Sequence, residues 1–465
     1  MKYLFAAAFI LFALMYAGAL LTLERDADDD RVTLYWATDP NPARARQIAA
    51  FEALYPDVRV LVDPGAATDP TKLMVQCATG VGPDIIDAYN LEQMVGFAEA
   101  GILLDISTQA REMGFGPEHT YPALQPRLFY EGRQYRYPRN AFANCIVYNK
   151  ALFDEVGIPY PEPGWTQEDM AAIGRRIAAY RGADGRRIIP LANWAPQMIV
   201  QDLMVAHGAD WLDANGLVST LDAPEAIQAL QQYHDMIYRD GTIPTPVEAA
   251  SFATQGGWGG AINWFAAERA AMISIGRWIL ILLPNFPDLA DKLGAVVLPR
   301  LPHQDHSTGI CDAAGPGVNA KSPHWREALF FLQYLTTPEY NRIIIEGGDS
   351  LPPNPAMAQR GEDLVAPVLP DPAFHQPFID AMAHAKVLSA SSFIDPNLVG
   401  IWFLEAIQRV ENNVQTPEAA FRATASEINE RIRMNLARRT DLQRKFEAVT
   451  GQPYSDDWHV AYTPQ

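Results

Sequence analysis

Residues 134–166 read QYRYPRNAFANCIVYNKALFDEVGIPYPEPGWT, and their order decides how the chain is organised. Ile146-Val147-Tyr148 is a short β-branched and aromatic run that suits a strand. Asn149 can cap the helix that follows, on which Leu152, Phe153 and Val156 fall along one face. Gly157 suits the position just past that helix, and Pro159 prevents its resumption. Trp165-Thr166 then opens a second helix. Thr166 is a candidate N-cap, Asp169 stands where a capping box usually has Glu or Gln, and Trp165 can staple onto Met170. Strand, helix, Pro/Gly connector and helix cap in this order specify a domain but name no chemistry.

On the N-terminal side, strands and helices alternate. Residues 32–37 and the alternating Val58, Val60 and Val62 read as strands, with a helix over 42–54 between them that stops at Pro56. A short helix over 71–79 ends at Gly80, a third strand covers 84–89, and a helix carrying Met94, Val95 and Ala98 ends at Gly101. This β-α-β-α-β-α order predicts an α/β unit with a largely parallel sheet. Ligands of such sheets sit at the carboxyl ends of the strands, which singles out the loops 38–41 and 89–90. On the C-terminal side, residues 150–290 read as mainly helical, with helices near 166–180, 197–207 and 224–238. An apolar strand returns at 293–298, a Phe- and Leu-rich helix covers 323–334, and 377–446 is again helical.

The chain has 465 residues, enough for two or three cores, with 49% hydrophobic and 20% charged residues. A formal net charge of -19 disfavours nucleic acid and anionic membrane surfaces as partners. Three scattered cysteines, Cys77, Cys145 and Cys311, make neither a disulfide framework nor a zinc cluster, and Cys145 falls in the apolar strand. At the N-terminus Lys2 precedes an apolar run over 3–23, followed at once by the acidic segment 24–30. Ala17-Gly18-Ala19 offers a small-x-small cleavage site, while a run of roughly 20 apolar residues is also long enough to span a bilayer. The expectation is an exported body, either released after cleavage or tethered, with residues 1–30 as signal or anchor plus an acidic spacer. No cysteine lies near this segment to carry a lipid anchor.

Seven pieces, in order, resemble the family-1 extracellular solute-binding proteins of bacterial ABC importers, the group containing the maltose-binding protein. They are VTLYWATDPNP with FEALYPDVRVLV; GVGPDIIDAYN with FAEAGILLDIS; RYPRNAFANCIVYNKALFDEVGIPYPEPGWTQEDM; ERAAMISIGRWIL; LGAVVLPRLP; EALFFLQYLTTPEYN; and GGDSLPPNP. The resemblance covers nearly the whole mature chain. It implies an α/β, two-lobed Venus-flytrap fold with discontinuous lobes joined by crossing strands: lobe 1 from 31–140 and 300–345, lobe 2 from 141–299 and 346–465. The first crossing is expected over 139–148 and the return over 293–299. It further implies a monomer without cofactor that binds a small molecule, carbohydrate above all, in the interlobe cleft and presents it to an ABC permease. A sensory receptor that uses the same cleft without transport is the neighbouring alternative.

The resemblance also points to ligand-binding residues. Trp278 matches the signature tryptophan, which offers an aromatic platform for the C–H faces of a sugar; the competing role is a core tryptophan behind Ile279 and Leu280. Trp258, Asn263 and Trp264 lie in GGWGGAINWF, whose glycines let backbone approach a ligand or merely form a loop. Asp39 and Asn90 follow the first and third strands and compete with roles as helix caps. Arg139, Asn140 and Phe142 precede the crossing strand, where Arg139 can equally be a hinge ion pair. Trp194, with Asn193, and Trp402 are expected in the second lobe, and Asp312 on the returning segment. Arg277 stands where the family has a small residue or proline; facing the cleft, it would suit a sugar acid or phosphate.

Two enzymatic patterns need weighing. Gly348-Asp349-Ser350-Leu351 spells a GDSL hydrolase motif, and Asp456-x-x-His459 could complete a Ser-His-Asp site. However, the serine follows a late helix rather than the first strand, and Pro352-Pro353 trail it. His303-x-x-His306 with Asp305 and Cys311 has metal-capable groups, but sits in a polar loop without HExxH spacing. The reading is therefore a binding protein, with no catalytic residue and no metal.

Overall fold

The computed structural model describes residues 30–182, 185–251 and 260–462. The apolar run over 3–23, most of the acidic spacer and Trp258 lie outside them. Among the described residues no helix is long and apolar enough to cross a membrane.

Strands β1 (Val32–Ala37), β2 (Val58–Val62) and β3 (Ile85–Ala88) form where the alternation predicts. Leu34 and Trp36 are fully buried while Tyr35 between them is half exposed, the period-two pattern of a pleated strand. The hairpin β4 (Phe129–Tyr130) and β5 (Arg133–Gln134) follows, then β6 (Phe142–Ala143) and β7 (Cys145–Asn149). Strands β8 (Ile189–Ala192) and β9 (Ala270–Ile275) lie in the region read as helical. Every residue of both is buried. Such unbroken apolar runs, covered on both faces, lack the alternation that marks a strand. Strands β10 (Leu293–Val297), β11 (Cys311–Asp312) and β12 (Gly315–Val318) complete the set.

Two four-stranded sheets define two lobes, with orders β12-β3-β1-β2 and β10-β7-β9-β8. In the first, β1 runs parallel to β2 and β3, and β12 joins antiparallel to β3. Its core packs Trp36, Phe51 and Phe331 together, with ring centroids 4.8 and 5.1 Å apart. In the second, β7 is flanked antiparallel by β10 and β9. Ile146 and Tyr148 enter one core, Cys145 and Val147 the other, as alternate residues must. Gly294 sits opposite Tyr148, and the tyrosine ring occupies the space a side chain at 294 would need.

The helix ends around β7 follow from their sequence. Asn149 accepts from the Leu152 amide at 3.3 Å, Gly157 closes the helix Lys150–Val156 with φ 70°, and Thr166 and Asp169 form a reciprocal capping box. Trp165 and Met170 share the core below it.

Three segments cross side by side between the lobes. β6 pairs with β11, and Ala141 exchanges two backbone hydrogen bonds with Leu351, 3.0 and 2.9 Å long. This corrects the expected return over 293–299. β10 stays in the second lobe, and so do residues 300–310: Arg300 N donates to Trp165 O at 3.1 Å and Gln304 Nε2 to Ala206 O at 2.6 Å. The chain re-enters the first lobe through β11 and β12. β10 has the apolar pattern of a crossing strand, but its hydrogen bonds go to β7.

Asp202 ties the second lobe to these crossings. From the helix Pro196–His207 it accepts the Ile310 amide at 2.8 Å and Asn144 Nδ2 at 2.9 Å. Burial pushes its carboxyl up to about 7, against these two bonds. A raised carboxyl stabilises the fold below its ordinary value near 4, and that contribution is lost as pH rises through about 7. The expected slope is about 1.4 kcal/mol per pH unit across that window. Asp202→Asn should flatten it, because an amide does not titrate, and Asn144 Oδ1, without a partner among the described residues, can turn to accept from the new amide. Thermal midpoints between pH 5 and 8.5 should fall more steeply for the unaltered chain than for the variant; parallel curves would contradict the assignment.

Candidate ligand-binding site

A cavity of about 430 Å³ opens between the lobes, within the roughly 300–1,000 Å³ usual for small-molecule sites. The first lobe supplies its wall from the carboxyl end of β3. There Tyr89 and Asn90 lead into the helix Leu91–Glu99, with Glu92 in its first turn. The second lobe supplies two helices. Pro196 starts the helix Pro196–His207 just beyond β8, which places Gln197 and Gln201 one turn apart on the cavity side. Asp395 caps the helix Pro396–Glu411, whose Asn397, Gly400, Ile401 and Leu404 form a single lining stripe. Phe142 and Asp312 come from the crossing strands.

Charged groups gather on one wall of this cavity: Glu92, Arg127 and Asp312 line it, and the fully buried Arg136 stands behind Asp312. Arg127 and Arg136 face Glu92 and Asp312, with Arg127 4.0 Å from Glu92 and 3.9 Å from Asp312, and Arg136 3.7 Å from Asp312. These separations exceed hydrogen-bond length. Arg136 is anchored instead by carbonyls, donating to Arg127 O at 2.9 Å and to Ala88 O and Ala313 O at 3.0 Å each. Burial lowers its guanidinium to about 10, which leaves it cationic at neutral pH, and burial likewise raises Glu92 against the pull of Arg127. Beside the cavity, three buried donors find no acceptor among the described residues: Arg127 Nε, one terminal nitrogen of Arg136 and the indole nitrogen of Trp211. Trp211 is only 5% exposed, packs against Phe403 at 5.2 Å, and lines the cavity with it. Buried donors normally have partners, and of these three Arg127 and Trp211 line the cavity, where an entering ligand can supply an acceptor.

Of the residues expected at the site, Asn90, Phe142 and Asp312 line this cavity. Asn90 also caps its helix, accepting from Gln93 N at 2.9 Å. Arg139 and Asp39 lie behind it. Arg139 donates to Asp87 at 2.9 Å, Asp39 at 2.8 Å and Asp349 at 3.4 Å, while Arg44 reaches Asp39 and Asp349 at 3.1 Å each. Burial raises the Asp39 carboxyl, but Arg139 and Arg44 outweigh it and hold the group at about 2. The hinge ion pair is thus what the geometry gives Arg139. Trp278 and Trp194 meet edge to face at 5.2 Å, and Trp194 donates to Ser274 O at 2.7 Å. Both are outside the 430 Å³ lining, although Trp278 stands beside Gly276, which lies close to Phe142. Trp264 is 5% exposed in the second-lobe core, and Asn263 on the same short helix does not line the cavity. Trp402 points from its helix towards Arg431 and the core, whereas its neighbours Ile401 and Phe403 line the cavity. Arg277 is buried and spent on the carbonyls of Ser350, Ile345 and Leu364 and on His375.

The hydrolase motif is likewise structural. Asp349 belongs to the Arg139 cluster, Ser350 is 1% exposed with φ 67°, and His459 is exposed on the terminal helix Trp458–Ala461. No group of three or more metal-capable side chains occurs among the described residues. All three cysteines are buried and free.

Two discontinuous α/β lobes, three crossing segments and a cavity of mixed apolar and polar lining between them define a two-lobed binding protein. Residues 37–342 match the bacterial extracellular solute-binding protein family. The chain belongs to that family; it is a binding protein and not an enzyme, and its place is outside the cytoplasm. An arabinooligosaccharide-binding protein of Halalkalibacterium halodurans is 27% identical over 215 residues, spanning 45% of this chain and 45% of that relative, so the match covers about half the relative's length. A multiple sugar-binding protein of Streptococcus mutans is 24% identical over 330 residues, 66% of this chain and 72% of the relative. Among solved structures, the fold is shared with an ABC substrate-binding protein of Listeria monocytogenes in complex with cycloalternan, with TM-score 0.71, 21% identity, and 86% and 99% of the two chains covered. It is shared also with the sugar-binding protein MalE of Xanthomonas citri, with TM-score 0.68, 19% identity, and 86% and 97% covered.

Replacing Arg139 with Met would leave Asp87 and Asp349 buried beside one cation fewer. The expected cost is about 3–5 kcal/mol, read as a lower midpoint of urea unfolding. An unchanged midpoint would remove Arg139 from its place at the hinge.

Proposed function

We propose that this protein captures a neutral saccharide in the interlobe cavity and presents the closed form to the permease of an ABC importer. The observation that carries this reading is the combination of unpartnered buried donors with aromatic faces. A sugar exposes flat C–H surface together with hydroxyls that both donate and accept. Phe142, Phe403 and Trp211 supply the first complement. Arg127 and the Trp211 indole supply donors, and Glu92 and Asp312 supply acceptors. The lining carries one cation, Arg127, against two carboxylates, Glu92 and Asp312, which gives a sugar acid no positive field to enter, and Arg277, the cation that would have suited one, is committed elsewhere. The names of the two relatives above, which bind arabinooligosaccharides and multiple sugars, support the same ligand class.

Closure supplies the signal to the permease. Ligand touching both lobes favours the closed form by the contacts it makes only there. The N-terminal apolar run is proposed to export the chain, and cell fractionation distinguishes release from tethering.

A thermal-shift screen with neutral oligosaccharides and the matching uronic acids tests the ligand class. A saccharide at about 100 times its dissociation constant should stabilise the fold by roughly 2.7 kcal/mol, and the uronic acids should give no shift. Trp211→Phe keeps the packing but removes one donor, and should weaken binding by about tenfold, the scale of one hydrogen bond. Uronic acids binding as well as neutral sugars, or Trp211→Phe binding normally, would contradict the assignment.

A further inference from the structure

We propose that the helix Thr440–Thr450 is an electrostatic latch between the lobes: Lys445 reaches from the second lobe to Glu131 on the first, and this pair, outside the ligand cavity, holds the closed form and slows ligand release. This rests on the reading above, in which the cavity closes on its ligand.

The helix is fastened to the second lobe. Leu442 and Phe446 are buried in that lobe's core, and Phe446 packs against Trp458 with ring centroids 5.3 Å apart. Beyond it Tyr462 donates to Asp213 and accepts from Asn215 Nδ2 at 2.8 Å. The outer side of this region is basic. Residues 431–445 carry six Arg or Lys against the single carboxylate of Asp441, in a chain whose net charge is -19.

What faces it on the first lobe is acidic. Lys445 pairs with Glu131 in the turn of the β4–β5 hairpin, and its Nζ lies 5.6 Å from the centre of the Tyr130 ring. The Tyr130 hydroxyl donates in turn to Glu99, at the end of the helix Leu91–Glu99. Arg439, just before the helix, pairs with Asp441 at 2.7 Å and is near enough to Glu99 to feel its charge. Two cations of one lobe thus meet two carboxylates of the other, with an aromatic ring between them. Burial raises the Glu131 carboxyl, but Lys445 outweighs it and holds the group below its ordinary value.

The hairpin turn carries the independent observation. Its two residues, Glu131 and Gly132, have φ 52° and 73°, the paired positive φ of a type I′ turn. Asn, Asp or Gly is preferred at the first position, and a glutamate there is strained. The strain has a return in reach: the longer side chain carries its carboxylate to Lys445 on the other lobe. Nothing within the hairpin requires a glutamate.

A half-exposed ion pair is worth little by itself, so the latch adds to the ligand's contacts and does not replace them. It forms only when the lobes meet, after capture. It therefore acts on the rate of release and leaves the rate of capture alone.

Stopped-flow tryptophan fluorescence tests this, with maltotriose and arabinotriose as probes. Lys445→Glu and Glu131→Lys should each raise the dissociation rate by about tenfold, since each replaces an attraction by a repulsion. Association rates should stay unchanged, and the double reversal should bring release back to within about twofold of the unaltered protein. Glu131→Asn installs a preferred turn residue; it should hasten release by about threefold while the thermal midpoint holds or rises, which separates the latch from a folding defect. Reversals that release at the unaltered rate, or a double reversal that recovers nothing, would overturn the latch alone. If none of the neutral saccharides of the thermal-shift screen binds, the saccharide reading falls. The latch is then judged on the ligand-free chain by small-angle scattering: Lys445→Glu should enlarge the radius of gyration and the double reversal restore it, and equal radii would overturn the latch as well.

Discussion

A buried guanidinium must bring counter-ions with it, and Arg139 does so by gathering carboxylates from three separate parts of the chain. Asp39 lies beyond β1, Asp87 lies in β3, and Asp349 lies on the third crossing. Arg44 bridges Asp39 and Asp349 from the first helix. Arg139 itself stands at the start of the first crossing, where Tyr340 also donates to its carbonyl at 2.8 Å. The cluster therefore fixes the positions of two crossings relative to the first sheet. A charge network of this kind adds little net stability compared with an apolar core. Its contribution is geometric: alternative arrangements leave a charge buried and unpaired. Arg277 plays a parallel part from the second lobe, holding the carbonyls around the same Gly-Asp-Ser-Leu turn.

With the hinge fixed in this way, what remains adjustable is the angle between the lobes. The cavity-facing charges differ from the hinge charges in just the respect this requires. Around Arg139 the ion pairs are at hydrogen-bond distance, whereas around Arg127 they stand near 4 Å and leave donors unspent. One cluster pairs its charges closely within the protein; the other leaves them more loosely paired on the cleft wall. The lobes meet opposite the hinge through Asn397, which donates to Glu92 O at 3.4 Å, and through Lys445 with Glu131. These few exposed contacts are weak, so the ligand's own contacts can decide the equilibrium.

Much of the fold is legible in the sequence because local physics dominates there. Asn149, Gly157 and Thr166 set helix ends by their own side chains or backbone freedom, and β1 and β2 carry clear alternation. Strands β8 and β9 are not legible, since burial on both faces erases the period. The position of the return crossing depends on which strand β10 pairs with, which no local pattern records. The site is read least well for a similar reason. Tryptophan is conspicuous in a sequence, but Trp264 fills the core, and Trp278 and Trp194 satisfy one another outside the main cavity. Trp211 and Arg127 stand in no motif that marks them out, yet both line the cleft. The i, i+4 glutamines after Pro196 and the 397-400-401-404 stripe after a capped helix start are signals in the sequence, but they gain meaning only once the lobes are facing.

On the proposed function, a saccharide closes the two lobes about a hinge held by Arg139. Small-angle X-ray scattering of the full exported body, with and without a saturating neutral oligosaccharide, tests it most directly. The ligand-bound profile should match an arrangement with helices Leu91–Glu99 and Pro396–Glu411 in contact across the cleft, and the ligand-free profile should show a larger radius of gyration. Identical profiles in a sample shown to have bound the sugar would contradict it.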